Sequence, residues 1–155
     1  MIRHFIAAAV FMSAAAFAPS LAQASSSAQL MAGDPSGRNV TFSFGAERGV
    51  AGLRIETHRV GDPGAKLSIW IDHARRQLFS RILIAHDCKF GDDGAQCRLF
   101  FPRTSPDYSR FLVAFKRGRT AHVEVENAAV MQMSTDISLA GFTRQLESRS
   151  RPAPR

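Results

Sequence analysis

The feature that most constrains this chain is a hydrophobic alternation of period two, recurring over short segments separated by turn-forming residues. Successive side chains of an extended strand point to opposite faces, so such alternation buries one face and wets the other. Val40, Phe42 and Phe44 alternate with Thr41 and Ser43, a half-buried strand. Leu53 and Ile55 alternate with Arg54 and Glu56 in a second strand that can run on to Val60. Gly61 to Ala65 reads as a turn, after which Leu67, Ile69 and Ile71 alternate with Ser68, Trp70 and Asp72. That order predicts a hairpin across the turn. Residues 77–86 make a more hydrophobic strand, and 97–101, 120–126 and 129–138 supply further strands.

The period changes once in the middle of the chain. Ser105 suits an N-cap, Pro106 the first helical position, and Asp107 the positive helix end. Tyr108, Phe111, Leu112 and Phe115 then recur at helical spacing, with Lys116 and Arg117 in the last turn and Gly118 closing it. Ser138 is expected to cap a short final helix in which Leu139, Phe142 and Leu146 share a face. The expected fold is mainly β: a small antiparallel β-sandwich-like domain of about six or seven strands and one or two short helices.

The ends carry a different signal. Arg3 and His4 precede an apolar run from Phe5 to Ala18, broken by Pro19 and Ser20 and followed by Ala22-Gln23-Ala24. These are the parts of a secretory signal peptide over 1–24, with Ser25 as the first residue after cleavage. The apolar run is shorter than the roughly 18–20 residues that span a bilayer, and no later segment is long and apolar enough, so no transmembrane segment is expected after cleavage. Residues 25–37, rich in Ser, Gly and Pro, are expected to be a flexible lead-in. Residues 38–148 form the single β-rich domain, and 149–155 a disordered basic tail. The expected compartment is periplasmic or extracellular.

That compartment bears on the two cysteines, Cys88 and Cys97. An even count in an oxidising environment favours a disulfide, and the turn-forming residues between them let the chain double back. So short a loop gains roughly 2–3 kcal/mol from the crosslink in the chain-entropy model. The rival reading, a cysteine-based metal or redox site, calls for tighter spacing or further cysteine ligands.

Composition adds one functional hint. The net charge is +7, and of the 20 basic residues only Lys66, Lys89 and Lys116 are lysines, so the charge is mostly permanent guanidinium. A basic surface points to an anionic envelope or host-surface component, while export disfavours nucleic acid. Arg75, Arg76, Arg117 and Arg119 are the candidate anion-binding residues. Catalytic motifs are missing: there is no G-x-S-x-G elbow, phosphate-binding glycine loop, H-E-x-x-H or EF-hand loop. His86-Asp87-Cys88, with His58, His73 and His122 elsewhere, is the nearest approach to a metal cluster, and His86 and His122 could meet across strands. Ligand count and spacing fall short, so neither metal nor cofactor is assigned. Trp70 lies on the face opposite Leu67, Ile69 and Ile71, either as packing or as a binding aromatic.

The order of features also resembles a known family. Ile69-Trp70-Ile71-Asp72 leads to Cys88 and, after a glycine-containing loop, to Cys97; the capped helix, Gly118 and a strand follow. The closing run is Ile137-Ser138-Leu139-Ala140-Gly141-Phe142-Thr143-Arg144-Gln145-Leu146. This resembles the invasion-associated locus B family of exported bacterial proteins, which share a similar two-cysteine loop and S-L-x-G-F ending. The likeness covers residues 67–147; residues 25–66 lack the Trp and further cysteine pair usual in the family's first half. It implies a non-enzymatic envelope or secreted protein, linked to host association, with no catalytic residues to carry over. The alternatives are a periplasmic inhibitor of a lytic enzyme, against which the positive charge argues, and a small hydrolase or metal-binding protein.

Overall fold

The computed structural model describes residues 28–148. The expected signal peptide over 1–24 and the basic tail over 149–155 lie outside the described residues. In chain order the first elements are β1 (Ala28–Gly33), β2 (Asn39–Glu47), β3 (Val50–His58), β4 (Lys66–Ile71) and β5 (Phe79–Ile82). A 3-10 turn (Ala85–Asp87) precedes β6 (Cys88–Gly91) and β7 (Gly94–Pro102). The chain ends with α1 (Pro106–Arg117), β8 (Thr120–Asn127), β9 (Val130–Ser138) and α2 (Phe142–Ser148).

The strands form two antiparallel sheets, ordered β1-β2-β3-β7-β6 and β5-β4-β8-β9. The alternation decides which side chains face inward. Val40, Phe42, Phe44, Leu53, Ile55, Leu99 and Phe101 are buried in the first sheet, and Leu67, Ile69, Val123, Val125 and Ile137 in the second. This is the expected mainly β, sandwich-like architecture with two short helices. Helix α1 joins the two sheets: the Phe111 ring meets Phe42 and Phe101 of the first and Phe79 of the second, at centroid distances of 6.4, 5.8 and 5.4 Å. Its caps are those the sequence indicates. Ser105 Oγ accepts from Asp107 N at 3.2 Å, and Gly118 N donates to Ala114 O at 2.8 Å. Gly118 is required by space: a Cβ there would stand 2.4 Å from Ile71 Cγ2.

Four expectations need correction. Residues 28–33 belong to a strand, β1, paired along its length with β2, so the lead-in over 25–37 is not flexible throughout. Ala28 and Leu30 are buried there, an alternation masked by residues of low strand propensity. The turn over 61–65 is present, but β3 and β4 are not a hairpin. Both edges of β3 are occupied, by β2 and β7, so β4 crosses to the second sheet and sits between β5 and β8. The strand over 77–86 shrinks to Phe79–Ile82 and gives way to the 3-10 turn. Lastly, Ser138 ends β9 and does not cap α2: its Oγ accepts from Ala140 N at 3.3 Å, and the helix starts at Phe142. Among the described residues there are nine strands, and no helix is long and apolar enough to cross a membrane.

Candidate functional site

The cysteines are structural. Cys88 and Cys97 are directly opposed across the β6–β7 hairpin and joined by a disulfide, with Cys97 fully enclosed. The closing motif is structural as well. Leu139 and Phe142 are buried, and Gly141 turns the chain into α2 with φ of 79°, a left-handed conformation that glycine adopts without steric cost.

The four candidate arginines gather at one end of the sandwich, where β4 leaves the second sheet and β8 enters it. Arg75 and Arg76 lie in the loop after β4, and Arg117 and Arg119 flank Gly118 at the end of α1. The two segments are tied through Asp72, whose Oδ1 accepts from Arg119 N at 2.8 Å and Thr120 N at 2.9 Å. These backbone donors hold the Asp72 carboxyl below its ordinary pKa. Beside them, Lys116, Arg119 and Arg144, with one carboxylate, Glu147, line an open hollow together with Gly118, Leu139 and Gly141. All six cations of this end (Arg75, Arg76, Lys116, Arg117, Arg119 and Arg144) are exposed, and none makes an ion pair with any described residue. Arg38, Arg54, Arg59, Arg81, Arg98 and Arg110, by contrast, are each paired with a carboxylate.

On the outer face of the second sheet, next to this end, lies a cluster that the sequence does not reveal. Trp70 stands opposite His122 on β8, and His122 opposite Asp136 on β9. His122 Nδ1 lies 2.6 Å from Asp136 Oδ1, and its Nε2 lies 3.0 Å from Glu124 Oε1. Burial alone would lower the His122 pKa, but hydrogen bonding to Asp136 and then Glu124 overrides it and raises the pKa above its ordinary value. His73 completes the group, its ring centroid 5.1 Å from that of His122 and its Nε2 3.6 Å from Asp136 Oδ2. It is delivered by a tight turn in which Ala74 N donates to Ile71 O at 3.0 Å. Both central residues, Asp72 and His73, have positive φ, 51° and 54°.

His73 and His122 were visible in the sequence only as isolated histidines. Their association with Asp136 depends on the β8–β9 register and the turn after β4, neither of which spacing reveals. The alternation in 120–126 does place His122 and Glu124 on one outward face, which was the available clue. His86 and His122 do not meet: His86 sits in the 3-10 turn before β6, and the neighbours of His122 are Trp70, His73, Glu124, Ser134 and Asp136. Trp70 packs over the His122 ring at a centroid distance of 5.7 Å and is half-buried, outside the core.

No family model, curated protein or solved structure matches this chain. The fold and its surface define a disulfide-bearing, two-sheet β domain with a cationic end.

Proposed function

We propose that this chain is a non-enzymatic exported protein, periplasmic or secreted, that binds an anionic envelope or host-surface component through its cationic end. One observation carries the reading: six exposed cations of this end make no ion pair with any described residue, while the arginines of the first sheet and of β5 are neutralised by carboxylates. The other unpaired cations, Arg48, Lys66, Lys89 and Arg103, are dispersed over separate turns and strands. Exposed guanidinium groups without carboxylate partners present bidentate donors to phosphate, carboxylate or sulfate. The disulfide supports an oxidising compartment, and the signal-like N-terminus supports export. The likeness of residues 67–147 to the invasion-associated locus B family agrees with an envelope or secreted role.

The test is co-sedimentation of the protein with anionic and with neutral lipid vesicles, and with an anionic polysaccharide, between about 50 and 300 mM salt, the range over which screening removes exposed charge attraction. Binding should be confined to anionic partners, fall steeply with salt and weaken on replacement of Arg75 and Arg76 by Gln. Replacing Arg149 and Arg151 should weaken it less. Equal losses from the two pairs, or no binding at low salt, would refute a defined site at this end.

A further inference from the structure

We propose that His73, His122 and Asp136 form a binding site for a divalent transition-metal ion of the Zn²⁺ or Cu²⁺ type on the outer face of the second sheet. One ligand atom from each of the three residues lies within 4.8 Å of the other two. Two imidazoles and one carboxylate suit Zn²⁺ and Cu²⁺, whereas Ca²⁺ and Mg²⁺ prefer oxygen alone. Metal–nitrogen bonds of about 2.0–2.1 Å put neighbouring ligand atoms roughly 3.3 Å apart around a tetrahedral ion. The closest pair here is 2.6 Å, His122 Nδ1 to Asp136 Oδ1, and the next is 3.6 Å, His73 Nε2 to Asp136 Oδ2. With no ligand-atom spacing above 4.8 Å, changes in spacing of up to about 1.5 Å convert the hydrogen-bonded cluster into a coordination set. In that conversion the proton shared between His122 Nδ1 and Asp136 leaves for solvent, and the metal ion takes its place.

Two further features bear on the site: an orienting partner for His122, which metal ligands require, and the turn that places His73. A ligating histidine normally donates its second N–H to a carboxylate, which fixes the ring and raises its basicity. Glu124 Oε1 occupies that position, 3.0 Å from His122 Nε2, so Glu124 orients His122 while Nδ1 faces Asp136. The second feature is the turn that supplies His73. A tight turn with positive φ at both central positions favours Asn-Gly or Asp-Gly. Here the second central residue is His73, with φ of 54°. A non-glycine residue in that region is sterically disfavoured and persists where the surroundings hold it. The Asp72 carboxylate, anchored by two backbone N–H groups, holds this turn, and the outcome is an imidazole placed beside His122. The His73 and Asp136 side chains are 62% and 52% exposed and that of His122 is 19% exposed, so an ion can enter from solvent and keep positions open to water or a small ligand. The site is separate from the anion-binding reading and does not depend on it.

Trp70 is the single tryptophan of the chain and its ring is 5.7 Å from that of His122, which makes it a local reporter. The chelator-stripped full chain is titrated with Zn²⁺ by calorimetry and with Cu²⁺ by Trp70 fluorescence. One Zn²⁺ per chain is expected, with Cu²⁺ quenching that saturates at one equivalent and is reversed by a strong chelator, since Cu²⁺ binds such ligands more tightly than Zn²⁺. His73→Ala and Asp136→Asn, both at exposed positions, should each weaken both signals tenfold or more while the variants still unfold in one cooperative transition. His86→Ala should change neither signal. Glu124→Leu should lower Zn²⁺ affinity about tenfold, a typical loss for a residue that orients a ligand, while Glu124→Gln, whose amide oxygen still accepts, restores it. Absence of stoichiometric Zn²⁺ and saturable quenching, or wild-type affinity in both His73→Ala and Asp136→Asn, overturns the site. So does a loss in His86→Ala as large as in His73→Ala.

Discussion

Phe142 is the sharpest test of how the fold is closed. Its side chain is 0% exposed, and its ring packs against those of Phe44 and Phe115 at centroid distances of 5.0 and 5.6 Å. Phe142→Ala removes three contributions at once. Withdrawing the ring from the core forfeits about 2 kcal/mol of transfer free energy. Each aromatic contact adds about 0.5–1.5 kcal/mol beyond its area. The sum is about 4 kcal/mol, inside the 3–5 kcal/mol range typical of Phe→Ala in cores. Because a domain of this size shifts by about 3–5 °C per kcal/mol, the melting temperature should fall by about 10–20 °C. Scanning calorimetry or thermal circular dichroism on wild type, Phe142→Ala and Phe142→Leu gives the comparison, with the Leu variant losing less than half as much. A Phe142→Ala protein within about 2 °C of wild type would mean that α2 is not part of the cooperative core. The S-L-x-G-F ending would then be a surface feature, and the argument from burial would fail.

Two further perturbations probe the rest of the frame. Replacing Cys88 and Cys97 together by Ala should cost about 2–3 kcal/mol in denaturant titrations, the loop-closure contribution of so short a crosslink, and a loss below about 0.5 kcal/mol would refute that account. Asp34 closes the β1–β2 turn, its pKa lowered first by the Ser36 hydroxyl and, with desolvation opposing, also by the Arg38 backbone and side chain. A depressed carboxyl stabilises the fold above its unfolded pKa of about 4, and the contribution disappears as pH falls through the folded value. Asp34→Asn should therefore be less stable than wild type at pH 6, with the gap closing towards pH 2–3. A gap independent of pH would show that the carboxylate charge plays no part.

Local sequence determined most of the strands, though not β1 or the extent of β5, the α1 helix with both its caps, and the pairing of Cys88 with Cys97. These depend on neighbours within one turn or one hairpin: Ser105 on Asp107, Gly118 on Ala114, Phe111 on Phe115 along one face. Only the tertiary structure decided which strands share a sheet. The alternation of Leu67, Ile69 and Ile71 states that one face of β4 is buried, but is silent about which strand lies beside it. Occupation of both edges of β3 sent β4 to the other sheet. The same limit applies to function. Arg75, Arg76, Arg117 and Arg119 were legible as charges, but their freedom from ion pairs was not. His73 and Asp136 are 63 positions apart, and with His122 they meet through strand register and one left-handed turn. Periodicity reports the burial of a face, which is a local property. Cross-strand contact is set by the packing of the whole chain, because each strand has only two edges and the sheets must share one core.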